Sequence, residues 1–407
     1  MPPWDNVGWH NGIDTMDQAS PRSIQRVGVI GGGQLAWMMG PAAQKLGLEL
    51  VVQTPQSTDP AVAIAAATVL APVADAAATA SLATQCDVIT FENEFIDCGG
   101  LQTLAQQGTV FRPSLEVLAL VLDKRHQREF FERIGLPNPR YTWLEGDESE
   151  AELAARAEAI GYPLVMKTRR LGYDGYGTAV VQDAAQLGTT WHRLNHAPVL
   201  LEEFVPFQQE LAIMVARSAR GDVAVYPTVE TQQVDQICRR VLAPARVRAA
   251  VASRLEGIAR TLAEELELVG IVGIECFLTA GDRVLVNEIA PRTHNSGHYT
   301  LDACATSQFE QQLRAVGDRP LGPTALTCPQ AVMVNLLGLD ESDASHHRKL
   351  ERLKQQPRAT LYWYNKAIRP GRKLGHLTLR LDAGAEPRDA AAAIEAIWYG
   401  EVTPEEA

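Results

Sequence analysis

The chain comprises 407 residues, of which 46% are hydrophobic and 21% are charged, and its formal net charge is −12. A length of this order predicts two or three domains rather than one core, and the composition is ordinary for a globular enzyme. The acidic balance argues against a nucleic-acid-binding protein, because such a protein needs a basic face.

Residues 1–24 contain three aspartates and lack an apolar run, so they match neither a secretory signal nor a transit peptide. We interpret this segment as an N-terminal extension, with Met16 as a candidate start site. The alanine-rich stretch 61–74 is too short and too weakly apolar to span a bilayer. Six scattered cysteines without a C-x-x-C pair predict reduced thiols. We therefore expect a soluble cytoplasmic protein that binds neither membrane nor nucleic acid.

Residues 25–137 alternate strands with helices, which predicts an N-terminal doubly wound (Rossmann-like) α/β domain. A buried strand at 27–30 leads into a turn of three glycines and then a helix, which Pro41 should kink or end. The turn matches the G-x-G-x-x-A fingerprint in form, and its physical content is a helix N-terminus offered to an anion. A linker helix is expected over 114–134, because a glycine and a proline follow it.

The next segment, 138–205, is predicted to form a small lid domain. A short apolar strand ends at Lys167, and three glycines follow within residues 172–177. Such a loop can close over phosphate with its N–H groups pointing inward, while the lysine adds a point charge. The pattern is not a P-loop, because the lysine precedes the glycines. A glycine-rich hairpin without a ligand is the alternative for this segment taken alone.

Carboxylates on the strands that follow predict the rest of a nucleotide site. Residues 199–205 form an apolar strand that runs into acids, and Glu210 opens the next strand, where a carboxylate can bond ribose hydroxyls. Two strands joined by a Gly-Asp turn carry Glu275, Asn287 and Glu288. Mg²⁺ prefers such oxygen ligands and leaves its other positions to water and phosphate. A hairpin with solvated acids is the alternative interpretation.

The order of these features resembles the ATP-grasp superfamily: lysine strand, glycine loop, acid-ended strand and two metal carboxylates. Within it, the chain resembles the 5-(carboxyamino)imidazole ribonucleotide synthase family over residues 25–380. The resemblance implies a three-domain ATP-grasp architecture of α/β and α+β class, with a C-terminal ATP-grasp domain at 206–380 and a tail at 381–407. It rests on the segments Gly31–Leu35, Thr90–Glu92, Lys167 with Gly172–Gly175, Glu202–Val205, Asn287–Arg292, His294–His298 and Trp363–His376.

The resemblance also implies an activity in purine (IMP) biosynthesis. It is the ATP-dependent carboxylation of the exocyclic amine of 5-aminoimidazole ribonucleotide with bicarbonate, through carboxyphosphate. The expected products are N5-carboxyaminoimidazole ribonucleotide, ADP and phosphate. The implied cofactors are ATP and Mg²⁺, the other small-molecule partners are bicarbonate and the ribonucleotide, and the implied assembly is a homodimer.

Four sets of site residues follow from the resemblance and the chemistry of the side chains. The metal ligands are Glu275 and Glu288. The ATP contacts are Lys124, Lys167, Gly172, Tyr173, Asp174, Gly175, Tyr176, Gly177, Thr178, Glu202, Glu203, Phe204, Val205, Glu210, Gln233, Asn287 and Glu288. The ribonucleotide contacts are Gly33, Gln34, Leu35, Glu92, Lys366 and Arg372, the last two at its 5′-phosphate. The catalytic set is Arg292, His294 and Asn295 at bicarbonate or carboxyphosphate, with Tyr173 and Asp174 near the amine and ribose.

Three positions depart from the family pattern. Lys124 stands where the family has an arginine, and lysine keeps the charge but loses the bidentate fork. Tyr176 replaces a frequent basic residue of the glycine loop, and Gln233 replaces a histidine that can carry charge. We expect changes in affinity rather than loss of chemistry, because the loop lysine and both metal carboxylates remain.

Three rival functions remain open. A nicotinamide-dependent dehydrogenase would explain the glycine turn but leaves the carboxylate hairpin unused. The formate-dependent glycinamide ribonucleotide transformylase is the nearest alternative within the superfamily, and the run 363–376 argues against it. A non-catalytic ATP-binding module would follow if the three departures abolish turnover. His346, His347 and the tail after residue 381 are expected at the surface without a role.

Overall fold

The computed structural model describes residues 23–170, 172, 177–340 and 343–400. In chain order, these residues build a four-stranded parallel sheet, a four-stranded antiparallel sheet and a nine-stranded sheet. The predicted combination of α/β and α+β parts is therefore confirmed. Within the described part of the chain, none of the helices is both long and apolar enough to cross a bilayer.

The N-terminal domain is a parallel sheet of strand order β3-β2-β1-β4, with helices between consecutive strands. Residues 27–30 are fully buried, because the central strand β1 is covered on both faces. The helix after the glycine turn is interrupted, and its second part starts with Gly40 and Pro41, since proline fits the first turn of a helix. The elements are β1 (Arg26–Ile30), α1 (Gln34–Trp37), α2 (Gly40–Leu46), β2 (Glu49–Thr54), β3 (Ala67–Leu70), α3 (Ala76–Ala83), β4 (Val88–Phe91) and α4 (Cys98–Gln106).

The predicted linker helix over 114–134 is wrong in one respect, because it is two helices: α5 (Leu115–Val121) and α6 (Lys124–Arg133). Asp123 separates them with an extended backbone, and its carboxylate caps α6 by accepting the N–H of Arg125 at 3.0 Å. The same carboxylate receives two hydrogen bonds from Arg169, at 3.0 and 2.7 Å. Asp123 therefore ties the linker to the start of the glycine loop.

The lid is an antiparallel sheet of strand order β5-β8-β6-β7 covered by two helices. Helix α7 (Glu150–Ile160) begins with a capping box, in which the side chains of Ser149 and Glu152 accept each other's backbone N–H groups. Its hydrophobic core draws only on residues 144–201, so the lid has a core of its own. The elements are β5 (Tyr141–Leu144), α7 (Glu150–Ile160), β6 (Leu164–Thr168), β7 (Thr178–Val181), α8 (Ala184–Arg193) and β8 (Val199–Glu203).

The C-terminal part is a sheet of order β14-β13-β9-β11-β12-β15-β17-β16, with β10 paired to β9. Phe309, Leu313 and Val316 of its helix α11 pack into one core with the first two strands of the chain. The elements are β9 (Phe207–Arg217), β10 (Val223–Val225), β11 (Val229–Val234), β12 (Ile237–Ala243), α9 (Ala249–Glu265), β13 (Gly270–Thr279), β14 (Val284–Ala290), α10 (Thr300–Ala303), α11 (Gln308–Val316), β15 (Gln330–Leu337), α12 (Asp343–Lys354), β16 (Ala359–Trp363), β17 (Lys373–Leu381) and α13 (Pro387–Trp398).

The expectation of a surface tail after residue 381 is wrong, because α13 packs against the large sheet. Trp398 is fully buried, and its indole N–H donates to the carbonyl of Leu337 at 2.8 Å. His346, also expected at the surface, is buried with its ring 5.4 Å from that of Trp398, whereas His347 is exposed as expected. The apolar spacing Ala391, Ile394 and Trp398 explains the packing, since these residues share one helical face.

Candidate active site

The hairpin of β13 and β14 brings two carboxylates together. Glu275 lies directly opposite Glu288 in the strand register, so both side chains project from one face of the sheet. Burial, followed by the charges of Glu288 and Glu210, raises the pKa of Glu275. The charge of Lys124 holds the pKa of Glu288 well below its usual range. The opposed shifts show that the two facing acids repel each other.

Two lysines from other elements bind this hairpin. Lys124, at the start of α6, places its Nζ 2.8 Å from Oε2 of Glu288. Lys167, at the end of β6, donates from Nζ to Oδ1 of Asn287 at 3.0 Å. Four residues predicted for the nucleotide site therefore converge, although they lie on three separate segments of the chain.

Glu202 was expected to contact the nucleotide, but its carboxylate is bonded by two cationic side chains. Its buried carboxylate bonds Lys167 Nζ at 2.7 Å through Oε2 and Arg128 Nε at 2.6 Å through Oε1. Burial raises the pKa of Glu202, but the two cations lower it more, so the net shift is downward. Glu202 thus holds Lys167 in place. Arg128 was missed by the sequence analysis, although it lies one helical turn after Lys124, where the two share a face.

A second group of predicted ATP residues lies on β9 and β11. Gln233 hydrogen-bonds the carboxylate of Glu210, whose pKa is raised by burial. The Oε2 atom of Glu210 is buried without a hydrogen bond among the described residues, which leaves it available to a ribose hydroxyl. Glu203 instead forms an ion pair with Arg140 at 2.8 Å on the lid. Phe204 is 42% exposed and provides an apolar surface beside this strand.

The residues assigned to bicarbonate follow β14 directly. Arg292 forms an ion pair with Glu94 of the N-terminal domain, with Nε 2.7 Å from Oε1. His294 places Nε2 3.5 Å from Oε1 of Glu275. The amide of Asn295 is paired with that of Asn335 by reciprocal hydrogen bonds of 3.0 and 2.7 Å. Arg292 and His294 therefore face the carboxylate site, whereas Asn295 is held by another side chain.

The predicted ribonucleotide residues also meet, although they come from opposite ends of the chain. Lys366 donates from Nζ to Oε1 of Gln34, and Glu92 accepts the N–H of Leu35 at 3.4 Å. A Cβ atom at Gly33 would overlap the carboxylate of Glu92, so this approach requires glycine. Burial, assisted by a neighbouring arginine, lowers the pKa of Lys366 despite the opposing charge of Glu92.

The other predicted site residues lie less close to the groups described above. Arg372 is exposed and donates to the carbonyl of Ala367 at 3.1 Å. Gly172, Gly177 and Thr178 are described at the two ends of the glycine loop, and Val205 is buried after β8. Tyr173, Asp174, Gly175 and Tyr176 lie outside the described residues, so their assignments remain predictions.

Three family models match consecutive parts of the chain. The "Ribonucleotide synthetase preATP-grasp domain" matches residues 24–121, and the "ATP-grasp domain" matches residues 129–309. The "Phosphoribosylaminoimidazole carboxylase C-terminal domain" matches residues 331–389. All three parts of the fold therefore have counterparts in known families.

Relatives match over nearly the full length. N5-carboxyaminoimidazole ribonucleotide synthase of Synechococcus elongatus is 53% identical over 391 residues, covering 94% of this chain and 98% of the relative. The enzyme of the same name from Bacillus subtilis is 38% identical, covering 93% and 94%.

Two solved structures from Aspergillus clavatus have closely similar folds. The carboxyaminoimidazole ribonucleotide synthase complexed with ATP has a TM-score of 0.87 at 33% identity, covering 93% of this chain and 99% of that one. The N5-carboxyaminoimidazole synthase in complex with ADP and 5-aminoimidazole ribonucleotide has a TM-score of 0.86 at 32% identity, covering 92% and 98%. The chain belongs to the N5-carboxyaminoimidazole ribonucleotide synthase family of ATP-grasp ligases.

Proposed function

We propose that this chain uses ATP and bicarbonate to carboxylate the exocyclic amine of 5-aminoimidazole ribonucleotide, giving N5-carboxyaminoimidazole ribonucleotide, ADP and phosphate. The observation that carries the proposal is the position of Arg292. Its Nε lies 2.7 Å from Oε1 of Glu94, two residues after Glu92, and Arg292 itself lies just after β14, the strand that carries Glu288. This position supports a site in which the predicted ATP and ribonucleotide residues adjoin. Relatives of the same fold bind ATP, or ADP with the ribonucleotide, which agrees with two adjoining half-sites.

The proposed site includes Mg²⁺, and the donor set fits this ion. Glu275 and Glu288 face each other, and the repulsion between them would be relieved by a cation. Across the described residues, no three His, Cys, Asp or Glu side chains form a metal cluster, as a zinc site would require. Mg²⁺ needs only one or two carboxylates and takes its other ligands from phosphate and water. When bound, it would screen the charge of the ATP phosphates.

The lysines of the site would act on the phosphoryl group. Lys167 is fixed between Glu202 and Asn287, and Lys124 is fixed by Glu288. Their positive charges would stabilise the transfer of the γ-phosphoryl group to bicarbonate, since preorganised charges need little reorganisation during reaction. The carboxyphosphate formed hydrolyses readily, so the glycine loop of the lid would exclude water.

The ribonucleotide, which accepts the carboxyl group, would bind on the side of Arg292 that is opposite the metal hairpin. Lys366 and Arg372 would hold the 5′-phosphate by charge-assisted hydrogen bonds, and Glu92 would lie near the imidazole end. Arg292 and His294 would keep the carboxyl donor beside the amine, where CO₂ released from carboxyphosphate is captured. Catalysis would then consist mainly of positioning and electrostatic stabilisation.

The proposal extends to a cytoplasmic homodimer, which follows from the family resemblance. Sedimentation velocity tests the assembly, because a monomer would sediment at the rate of a single 407-residue chain. The domain boundaries predicted at 137/138 and 205/206 likewise remain proposals, and limited proteolysis would test them.

The decisive experiment measures phosphate release from Mg·ATP and bicarbonate, with and without 5-aminoimidazole ribonucleotide. Release that depends on the ribonucleotide supports the proposal. Equal release with formate and glycinamide ribonucleotide would favour the transformylase alternative. ATP binding without release would indicate a non-catalytic module, and Lys124, Tyr176 and Gln233 would be the first residues to restore to the family pattern.

A further inference from the structure

Helix α11 carries three glutamines whose side chains are fully buried: Gln308, Gln311 and Gln312. Buried amides of this kind are stable only when their donors and acceptors are matched. Gln311 bonds both the carbonyl and the N–H of Gly322 at 2.8 Å. Gln312 accepts the N–H of Ile271 and donates to Thr90 Oγ1, each at 2.7 Å. Each of these two amides therefore joins α11 to another segment.

Gln308 binds the segment that follows the metal strand. Its Oε1 accepts the backbone N–H of His294 at 2.9 Å, and its Nε2 donates to the backbone carbonyl of the same residue at 2.7 Å. A Cβ atom at Gly297 would overlap this amide, so glycine permits the close approach. Gln308 therefore fixes the backbone of His294 at both of its polar groups.

These bonds also determine which way the amide points. A backbone N–H can only donate, so the atom that meets the N–H of His294 must be the amide oxygen. The amide nitrogen then has its second hydrogen directed at His298 Nδ1, 3.1 Å away. An amide nitrogen cannot accept, so His298 Nδ1 must be the acceptor and its proton must lie on Nε2.

The surroundings of His298 agree with a neutral imidazole. Burial lowers its pKa well below the usual range, and the neighbouring His376, His294, Lys373 and Arg292 lower it further. The rings of His298 and His376 lie 4.9 Å apart. Nε2 of each ring is buried without a hydrogen bond among the described residues. His298 is thus held in one tautomer from the Gln308 side, and no hydrogen bond from the described part of the chain competes at Nε2.

We propose that Gln308 is a positioning residue for the carboxylation reaction, acting through His294. The two hydrogen bonds between the Gln308 amide and the backbone of His294, here called the clamp, fix this backbone and thereby the position of the imidazole relative to Glu275. The remaining N–H of the amide donates to His298 in its fixed tautomer. This role rests on the proposed function, because His294 is assigned there to the carboxyl donor. This role depends on the two N–H donors of the Gln308 amide, so a residue of the same shape that cannot donate should misplace His294.

The first test uses the unmodified protein and needs no activity. Long-range ¹H–¹⁵N spectra of labelled histidine, with His298 assigned from a His298→Gln variant, report which ring nitrogen carries the proton. We expect protonation at Nε2 alone across about pH 6 to 8, the range in which an ordinary histidine titrates. Protonation of His298 at Nδ1 would overturn the clamp directly.

The second test compares two glutamines of the same helix. Gln308→Glu removes both donors, so kcat/KM for bicarbonate should fall by roughly tenfold to a hundredfold, as small misplacements near a reacting centre do. The KM for ATP should stay within about twofold, since binding of ATP does not use His294. Gln311→Glu disrupts an equivalent buried clamp and should lower Tm to a similar extent without the bicarbonate effect.

Gln308→Asn provides a second variant if the glutamate is not tolerated. It keeps the donors but shortens their reach, and it should change kcat/KM for bicarbonate in the same direction. An equal loss in Gln311→Glu, or unchanged kinetics in both Gln308 variants, would reduce Gln308 to a structural role. If the wild-type protein shows no ribonucleotide-dependent turnover, the proposed function fails, and the tautomer measurement still decides the clamp.

Discussion

Lys124 and Lys167 determine how two acids can face each other on adjacent strands. Lys124 pairs with Glu288 and Lys167 bonds Asn287, and both lysine charges lower the pKa of Glu288. Burial and the charge of Glu288 instead raise the pKa of Glu275. Lys124 contacts the carboxylate of Glu288, so lysine still places a positive charge there although the family has an arginine at this position. A single point charge is sufficient for that contact, whereas a bidentate contact would need arginine.

Glu288→Gln should abolish Mg·ATP turnover while leaving the fold intact. The amide keeps the shape but removes the charge that faces Lys124 and the proposed metal. Phosphate release and a circular dichroism spectrum are the measurements, with exposed Glu265→Gln as the matched control. Full activity of Glu288→Gln would refute the metal assignment.

Lys366→Met should raise the KM for the ribonucleotide by about tenfold or more, because a charge-assisted contact contributes roughly 1.5–3 kcal/mol. Arg372→Ala should raise it less, since Arg372 is exposed and Lys366 is largely buried against Gln34. Initial-rate kinetics check both, with Lys354→Ala as a surface control. An unchanged KM in Lys366→Met would remove this residue from the phosphate pocket.

Among single residues, the sequence predicted those whose role can be inferred from the residue type and its neighbours in the chain. Lys167 ends a strand before glycines, and Glu275 and Glu288 end up opposite each other because a short turn joins their strands. It missed Arg128, Glu94 and Gln308. Arg128 and Glu94 act on residues 74 and about two hundred positions away, and Gln308 acts through a buried amide that has no charge pattern. Only the folded chain brings such partners together.

Among the elements, α6, β6 and β8 are joined by one buried ionic group. Glu202 of β8 binds Arg128 of α6 and Lys167 of β6, and all three side chains are largely buried. Removing one partner from such a group leaves a buried charge unpaired, which is far more destabilising than loss of a surface pair. The stability of both the linker and the lid therefore depends on the charge of Glu202.

Glu202→Gln should reduce the free energy of unfolding at pH 7 by about 3–5 kcal/mol. The pKa of Glu202 is below its ordinary value of 4.5 in the fold, so its contribution is complete above that value and is lost as pH falls through the folded pKa. The difference between wild type and variant should therefore shrink in acid. Urea unfolding at pH 7 and at pH values below 4.5 measures it, with Glu256→Gln of an exposed pair as control. A difference that grows in acid would contradict the assignment.

Trp398→Ala should destabilise the chain by about 3–5 kcal/mol, although α13 lies outside the nucleotide site. The indole is fully buried and bonds the Leu337 carbonyl, so truncation leaves both a cavity and an unpaired acceptor. Thermal unfolding checks the loss, and the KM for ATP should be unchanged in the folded variant. A Tm equal to wild type would restore the expectation of a surface tail.

Elements with a strong local signal were predictable. The β13–β14 hairpin follows from its turn, and the lid helix follows from the capping box Ser149-x-x-Glu152. The break at Asp123 was not, because the apolar pattern continues across it, and its carboxylate is held by Arg169 from a distant part of the chain as well as by the cap of α6. α13 was overlooked although its apolar spacing is visible, since the resemblance ended before it.

In the whole molecule, hydrophobic cores are distributed unevenly. One core of the N-terminal sheet is shared with α11 and Tyr364, so the N-terminal and C-terminal parts of the chain stabilise each other there, whereas a second core lies within residues 30–118. The lid keeps a separate core within residues 144–201. Segments with a core of their own can open without disturbing the remainder.

Hydrogen exchange should therefore divide the molecule into two classes. Amides of β6 and β8 should exchange through openings of lower free energy than those of β1 and β9, and Mg·ATP should slow the lid most. Mass-spectrometric exchange with and without Mg·ATP measures both, with the distant α12 as an internal control. Uniform protection across all three sheets would contradict an independently opening lid.

The contact between Lys366 and Gln34 joins residues 332 positions apart. During synthesis on the ribosome, the glycine turn leaves the exit tunnel early, and its lysine partner follows only when about nine-tenths of the protein has been made. The strand hairpin that carries Glu275 and Glu288 leaves the tunnel well before Lys366 does. A chain that ends at a stop codon before residue 366 would therefore contain every residue proposed to bind ATP but would lack Lys366 of the proposed ribonucleotide site.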